Sequence, residues 1–128
     1  MIVCSFCRQS LEDSLFDYRG GPRKGLQSVC KPCSRVRLKL HRQYIRKLIN
    51  RWKEKLGCSW CKFKGRHYQL HLDHIDPFSK LKTGNSRAYE PSWSIKRIKQ
   101  ELKKCQILCA NCHAEKTFNN KDHLKTNE

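Results

Sequence analysis

The sequence predicts a small α+β fold stabilised by zinc, and three observations support this prediction. The chain has 128 residues, of which 38% are hydrophobic, so one large hydrophobic core is not expected. Eight of its nine cysteines form four Cys-x-x-Cys pairs. No signal peptide is visible at the N-terminus, which favours zinc over disulfides. The expected order is a zinc ribbon (1–33), a basic linker helix (34–57), a second zinc-bound module (58–120) and a flexible tail (121–128).

The four cysteine pairs group along the chain into two sets of four. The first set encloses a turn-rich segment at 19–25, which is typical of a hairpin in a zinc ribbon. Two such pairs place four thiolates around one tetrahedral zinc and leave no open position for a substrate, so we expect two structural zinc ions. The predicted ligands are Cys4, Cys7, Cys30 and Cys33 for one ion and Cys58, Cys61, Cys109 and Cys112 for the other. Cys105, the ninth cysteine, is interpreted as a small buried hydrophobic residue.

Residues 34–56 are predicted to form a helix, because they contain no glycine or proline and their hydrophobic residues recur at helical spacing. Gly57 is the expected C-terminal cap. Between Lys31 and Lys55 there are ten lysines and arginines and a single acid, Glu54. Such a helix can lie along a phosphate backbone, or it can be a solvated connection whose apolar side packs on its neighbours. The residues expected to contact DNA are Arg35, Arg37, Lys39, Arg42, Arg46 and Lys47.

The whole chain is strongly basic. Its 28 lysines and arginines against 11 acids leave a formal charge of +17, with an isoelectric point of about 9.8. Such an excess favours a polyanionic partner, and nucleic acid, in particular duplex DNA, is the first expectation. No apolar run approaches the length of a membrane span, and no basic segment carries a broad apolar face, so no membrane partner is expected. We expect a monomer or weak dimer in the cytoplasm.

The second module is predicted to contain two strands and two helices. Residues 68–75 alternate as a strand does and end at Asp76-Pro77. One side of this strand carries Leu70, Leu72 and His74, and the other carries His71 and Asp73. The later elements are a loop at 84–86, a helix over 95–104 with Ser94 as its N-cap and Ile95, Ile98 and Leu102 as its buried stripe, a strand over 106–108, and a helix over 110–118.

Asp73 and His74 are the first residues that point to chemistry. In residues 56–88 the only acids are Asp73 and Asp76, and a carboxylate beside a histidine in so basic a chain indicates a specific task. Adjacent strand residues face opposite sides, so one metal ion would not comfortably bind both. The carboxylate suits a hard cation, and the imidazole is left free to act as a base. His113 follows the last zinc cysteine, so the zinc would direct it towards Asp73.

The Asp-His pair, the Cys-x-x-Cys-His ending and the zinc pairs at both ends of the module resemble the ββα-metal nucleases known as HNH endonucleases. The resemblance covers about residues 58–120 and implies a ββα-metal module there. The N-terminal part resembles the family's relatives as well. Its Cys-x-x-Cys pairs and basic helix are similar to an arrangement often attached to HNH nucleases of phages and mobile elements.

The resemblance implies a role for three residues. His74 would be the general base that deprotonates a water for in-line attack on a phosphodiester. Asp73 and His113 would bind one divalent cation, magnesium or manganese, that stabilises the leaving 3′ oxygen. Cleavage of this kind leaves 5′-phosphate and 3′-hydroxyl ends.

Two positions depart from the family's pattern. Lys104 stands nine residues before His113, where the family often has an asparagine, and Thr117 stands four residues after it, where many relatives have a histidine or asparagine ligand. Water, Thr117 or Asn120 are alternatives for the third ligand. The other residues with possible accessory roles are Lys104, Asn111 and His71.

Two other classes of protein fit part of the sequence. A non-catalytic zinc-containing nucleic-acid-binding protein explains the charge and the cysteines, but it needs neither a carboxylate facing DNA nor a free imidazole. A carboxylate that faces phosphate lowers affinity unless a cation lies between them. An RNA-binding or ribosome-associated zinc-ribbon protein also fits the charge and leaves the second module unexplained. The endonuclease is therefore the leading hypothesis.

Overall fold

The computed structural model describes residues 1–22, 24–76, 79 and 88–120, and the chain divides into two compact units, Met1–Arg42 and Gln43–Glu128. The described part contains three α-helices and three two-stranded antiparallel sheets, which confirms a small α+β fold. The predicted loop at 84–86 and the predicted tail at 121–128 lie outside the described residues.

The first unit contains two small sheets and a short 3-10 helix. Its strands are β1 (Ile2–Val3), paired with β2 (Ser10–Leu11), and β3 (Phe16–Tyr18), paired with β4 (Leu26–Cys30), and the 3-10 helix is Asp13–Leu15. The buried core of this unit consists of Phe16 and two cysteines, Cys4 and Cys30. A core of this size needs a further constraint such as a metal ion.

Helix α1 spans Lys31–Leu56 and begins three residues earlier than the sequence predicts. Cys33 therefore lies inside the helix rather than before it. The helix ends at Gly57, whose φ is +69° and whose N–H donates to the carbonyl of Lys53 at 2.8 Å. This is the conformation in which glycine commonly ends a helix, so the predicted cap is confirmed. A Cβ at Gly57 would lie 2.7 Å from the carbonyl oxygen of Phe63.

The second unit is built on one two-stranded antiparallel sheet and two further helices. These elements are β5 (Leu70–His74), α2 (Ile95–Leu102), β6 (Cys105–Cys109) and α3 (Ala110–Asn120). The strand is shorter than predicted, because 67–69 form a 3-10 helix before it. β5 and β6 are antiparallel, with Leu72 opposite Ile107 and Asp73 opposite Gln106.

The second unit has two buried clusters, and Leu72 on β5 contacts both. One cluster contains Leu70, Ile107 and Leu108 together with three of the zinc cysteines, and the other contains Ile45, Ile49 and Ile98. Leu70 and His74, on the side predicted to be apolar, are buried, and Leu72 between them is half-buried.

Helix α2 begins as predicted, because the hydroxyl of Ser94 accepts a hydrogen bond from the N–H of Arg97 at 3.3 Å. Its buried side differs from the prediction. Ile98 is buried, but Ile95 is exposed and Glu101 is buried instead. Glu101 can be buried in place of an apolar side chain because its carboxylate contacts His74 and Lys104.

Candidate metal centres and the Asp73–His113 site

In each unit the first of the two Cys-x-x-Cys pairs forms a turn, and the two turns share a backbone conformation. The N–H of Arg8 donates to the carbonyl of Cys4 at 2.9 Å, and the N–H of Lys62 donates to the carbonyl of Cys58 at 3.1 Å. Arg8 and Lys62 both have a φ of 64°. Non-glycine residues rarely adopt this left-handed conformation. Its recurrence directly after the first cysteine pair of each unit indicates that the two turns have the same structural role. Both turns direct two thiols to one point.

The remaining cysteines of each set lie where a strand meets a helix. Cys30 ends β4 and Cys33 lies in the first turn of α1, while Cys109 ends β6 and Cys112 lies in the first turn of α3. In each set the four sulfur atoms lie within 4.8 Å of one another. The Sγ atoms of Cys61 and Cys109 are 3.7 Å apart, and the edge of a tetrahedron with zinc–sulfur bonds of about 2.3 Å is about 3.8 Å. Both predicted sets can therefore hold a zinc ion.

The pKa values of the cysteines differ within each set, which bears on how a cation would be bound. The backbone N–H of Cys30 donates to the sulfur of Cys4 and lowers the pKa of Cys4 to about 6. Hydrogen bonding to the Cys30 thiol, with burial, raises the pKa of Cys33 to about 12. In the second set burial opposes ionisation of Cys58, but backbone hydrogen bonds together lower its pKa to about 6, whereas burial raises the pKa of Cys112 to about 12. Four adjacent thiols cannot all ionise without a positive ion.

Asp73 and His113 lie side by side in the second unit. Asp73 is on β5, and His113 follows Cys112 in the first turn of α3. Oδ1 of Asp73 is 3.3 Å from Nε2 of His113, and the two side chains are 13% and 35% exposed. The structure thus brings together the carboxylate and the imidazole that the sequence pairs. Among the described residues only the two cysteine sets group three or more metal-binding side chains this closely, so Asp73 and His113 are a pair, here called the Asp73–His113 pair.

A lysine that the sequence analysis did not select contacts the other oxygen of Asp73. Nζ of Lys116 is 2.8 Å from Oδ2 of Asp73 and donates to the carbonyl of His74 at 3.1 Å. Lys116 is only 3% exposed. Gln106 also donates to Oδ2 of Asp73, at 3.5 Å. Asp73 therefore presents one oxygen to His113 while the other is held by the interior of the unit.

His71 contacts the second ring nitrogen of His113. The Nδ1 atoms of the two histidines are 3.1 Å apart, and their rings meet edge to face. Burial lowers the pKa of His71, and the charges of His113 and Lys53 lower it further. A neutral His71 can accept a hydrogen bond from His113, which would leave Nε2 of His113 free for a ligand. The predicted position of His71, on the same side as Asp73, agrees with these contacts.

His74 lies on the opposite side of β5 from the Asp73–His113 pair. Its Nε2 is 2.6 Å from Oε1 of Glu101, and the two side chains are 6% and 1% exposed. The other oxygen of Glu101 is 3.1 Å from Nζ of Lys104. A free imidazole is predicted here from the sequence, but His74 has a buried carboxylate partner. Its role as a general base stays a prediction.

The remaining predicted residues lie at the surface or close to it. Asn111 is exposed, and Thr117 is half-buried next to Lys116, which is the residue that contacts Asp73. Cys105 is half-buried rather than buried, and its Sγ donates to the carbonyl of Glu101 at 3.5 Å. The six basic residues expected to contact DNA are all exposed on α1.

Sequence reasoning missed two charged residues of the site, Glu101 and Lys116. Each falls at a position where a helix with an apolar stripe would bury a hydrophobic residue: Glu101 is three residues after Ile98, and Lys116 is four residues after Cys112. A charge at a buried helical position is the signal that could have identified them, because such a group needs a partner inside the fold.

The chain matches no protein-family model, no curated protein and no solved structure. In the part of the chain that the structure describes, none of the helices combines the length and the apolar character needed to cross a membrane. The side chains of the site are therefore the basis on which a function can be assigned.

Proposed function

We propose that this chain is a metal-dependent endonuclease of the HNH type that hydrolyses phosphodiester bonds in DNA. The contact of 3.3 Å between Oδ1 of Asp73 and Nε2 of His113 is the observation that carries the proposal. Two ligands bound at about 2.1 Å to one cation lie about 3.0 Å apart at a right angle and about 3.4 Å apart at the tetrahedral angle. The Asp73–His113 pair therefore has the spacing of two ligands of one divalent ion.

Neighbouring residues would hold this pair in position. A magnesium or manganese ion bound by the pair would neutralise charge on the phosphate and stabilise the leaving 3′ oxygen. Lys116 fixes one oxygen of Asp73, and His71 contacts the ring nitrogen of His113 that faces away from Asp73. The zinc site that includes Cys112 would hold the backbone of His113, because the two residues are adjacent in the first turn of α3.

In this proposal His74 is the general base, and Glu101 orients its ring. A carboxylate bound to one imidazole nitrogen fixes the tautomer and the orientation of the ring. Nε2 of His74 faces Glu101, so Nδ1 is the nitrogen that would accept a proton from the attacking water. Because His74 is only 6% exposed and lies on the opposite side of β5 from the Asp73–His113 pair, this role requires that DNA binding open its surroundings and admit a water within reach of both Nδ1 and the cation.

A second function, binding of nucleic acid without catalysis, is favoured by a different contact. Lys116 already neutralises Asp73 at a distance of 2.8 Å, so the carboxylate does not require a metal ion for its charge to be compensated. His74 is buried and bonded to Glu101, which is also the pattern of a structural histidine. In this case the charge of +17 and the exposed basic residues of α1 would be the functional features.

Nicking of a supercoiled plasmid in the presence of magnesium or manganese distinguishes the two functions. We expect the wild type to nick. His74→Ala should reduce the rate by at least about 100-fold, because a positioned base contributes roughly 10²–10⁴-fold. Asp73→Asn should reduce it by at least as much, because the cation loses its carboxylate ligand. Glu115→Gln, an exposed change on α3, is the matched control and should keep the activity. Circular dichroism and a zinc content of two per chain would show that each variant is folded. No nicking by the wild type, or equal nicking by all four proteins, would leave the binding protein as the function.

A further inference from the structure

A cleft of about 400 Å³ in the second unit opens beside His113. Residues from α1, from the 3-10 helix before β5, from β5 itself and from 88–91 line it. The ones that matter here are Arg46, Lys53, Tyr68, Leu70, Tyr89 and His113. Binding sites for small molecules have volumes of about 300–1,000 Å³, so this cleft has room for a single nucleotide and not for a duplex.

One part of the cleft is positively charged. Arg46 and Lys53 are seven residues apart on α1 and therefore lie on the same side of the helix. Among the residues that the structure describes, no carboxylate pairs with either of them. The ammonium of Lys53 is partly removed from water, and this burial lowers its pKa. No carboxylate of the described residues compensates the charge. A phosphate is the group that would supply this missing charge.

The other part of the cleft is aromatic and apolar. Tyr68 is 70% exposed, which leaves a face of its ring available, and Leu70, which also lines the cleft, is buried. Tyr89 lines the cleft from 88–91 and packs against the Ile45–Ile49–Ile98 cluster. Glu54 is bound to the backbone and ring of His67, which also lines the cleft. A flat ring that stacks on tyrosine and carries an adjacent phosphate satisfies both parts of the cleft.

We propose that this cleft binds one unstacked nucleotide of the DNA strand that is cut, with its base against Tyr68 and its phosphate between Lys53 and Arg46. A paired base inside a duplex cannot reach a pocket of this kind without leaving the stack. The preferred substrate is therefore single-stranded or locally unpaired DNA. This inference rests on the proposed function, because the cleft adjoins the Asp73–His113 pair, and it adds the class of substrate.

Binding measured with calcium in place of magnesium tests the cleft independently of cleavage. The probes are a labelled 12-nucleotide DNA strand, the duplex of the same sequence, and thymidine 5′-monophosphate, thymidine and inorganic phosphate as competitors. We expect the single strand to bind more tightly than the duplex, and the monophosphate to compete better than thymidine or phosphate alone. A strand that contains 5-iododeoxyuridine should form a photocrosslink to Tyr68 or Tyr89.

Two pairs of variants identify the residues. Tyr68→Ala should weaken single-strand binding by roughly 10- to 100-fold, as the loss of one base-stacking tyrosine does, whereas Tyr44→Ala, an exposed tyrosine on α1 outside the cleft, should change it by less than about threefold. Lys53→Gln should lower the slope of log affinity against log salt by about 0.7, and Lys55→Gln should leave it unchanged. A duplex preference, or equal effects of Tyr68→Ala and Tyr44→Ala, would overturn the inference.

The two proposals can fail separately. If the wild type nicks plasmid but Tyr68→Ala binds the single strand as the wild type does, the cleft is wrong and the nuclease stands. If the single strand binds and crosslinks in the cleft but no protein nicks DNA with magnesium or manganese, the nuclease is wrong and the nucleotide site stands.

Discussion

Two buried charges, Glu101 and Lys116, hold the second unit together at the level of single residues. Glu101 contacts His74 and Lys104, and Lys116 contacts Asp73 and the carbonyl of His74. Each joins a helix to β5, one on each side of the strand. Removing one partner of a buried ionic contact leaves the other uncompensated, which destabilises a fold by roughly 3–5 kcal/mol.

The first prediction concerns Glu101. We expect Glu101→Ala to lower the free energy of unfolding by about 3 kcal/mol or more, because His74 and Lys104 lose a common acceptor inside the unit. Urea unfolding with zinc present measures this change. Glu115→Ala on the exposed side of α3 is the control and should stay within about 0.5 kcal/mol of the wild type. A loss below about 1 kcal/mol for Glu101→Ala would mean that the contact with His74 is not a stabilising one.

His71 gives the second prediction. If His71 orients His113, then His71→Ala should weaken binding of manganese at the Asp73–His113 pair by about 10- to 100-fold, as loss of a partner behind a ligand does. Electron paramagnetic resonance of free manganese measures the affinity. His67→Ala, whose ring binds Glu54, is the control and should bind manganese as the wild type does. Equal affinities for wild type and His71→Ala would show that His113 does not need this neighbour.

At the level of elements, the helices and strands could be predicted from the sequence because their signals are local. Gly57 ends α1, Ser94 begins α2, and alternation sets which side of β5 is buried. The start of α1 was not predicted, because a zinc ligand such as Cys33 is expected in a loop before the helix. In the structure Cys33 lies within the helix. The partner of His74 was not predictable either. Glu101 is distant from His74 in sequence, and only the packing of α2 against the sheet of β5 and β6 brings the two side chains together.

The third prediction belongs to the end of α1. Gly57→Ala should lower stability by at least about 1 kcal/mol, because φ is +69° there and the new Cβ would meet the carbonyl oxygen of Phe63 at 2.7 Å. Gly20→Ala is the matched control, since no atom lies within 4 Å of its Cβ position and its φ is not in the left-handed region. Thermal unfolding of both variants makes the comparison. Similar melting temperatures would mean that the turn after α1 adjusts without strain.

At the level of the whole molecule, each unit contains one complete cysteine set. The fourth prediction follows from this separation. Cys7→Ser should reduce the zinc content from two ions per chain to one and leave the second unit folded, and Cys61→Ser should do the reverse, because no ligand is shared between the sets. Zinc analysis by mass spectrometry, together with amide NMR spectra, measures both effects. Loss of both ions from either variant would contradict the independence of the two sets.

The charge of the molecule is also distributed through both units. The predicted phosphate-contacting residues Arg35, Arg37, Lys39 and Arg42 belong to the first unit, and Arg46 and Lys47 belong to the second. All six are exposed. The sequence could predict this exposure because a long helix with few apolar residues has little to bury. The sequence could not predict which basic residues line a cleft. Lys53 and Arg46 line the same cleft as His113 only because of the tertiary fold.

The cysteine sets also bear on how this chain could change in evolution. Cys4 and Cys30 are 26 residues apart, whereas Cys61 and Cys109 are 48 residues apart. The free-energy cost of closing a loop rises by only about 0.6 kcal/mol for each doubling of its length. Insertions or deletions between β5 and α2 would therefore cost the second set very little. Related sequences could therefore differ in the length of that connection while they keep the four cysteines of the second set and the position of His113 directly after Cys112.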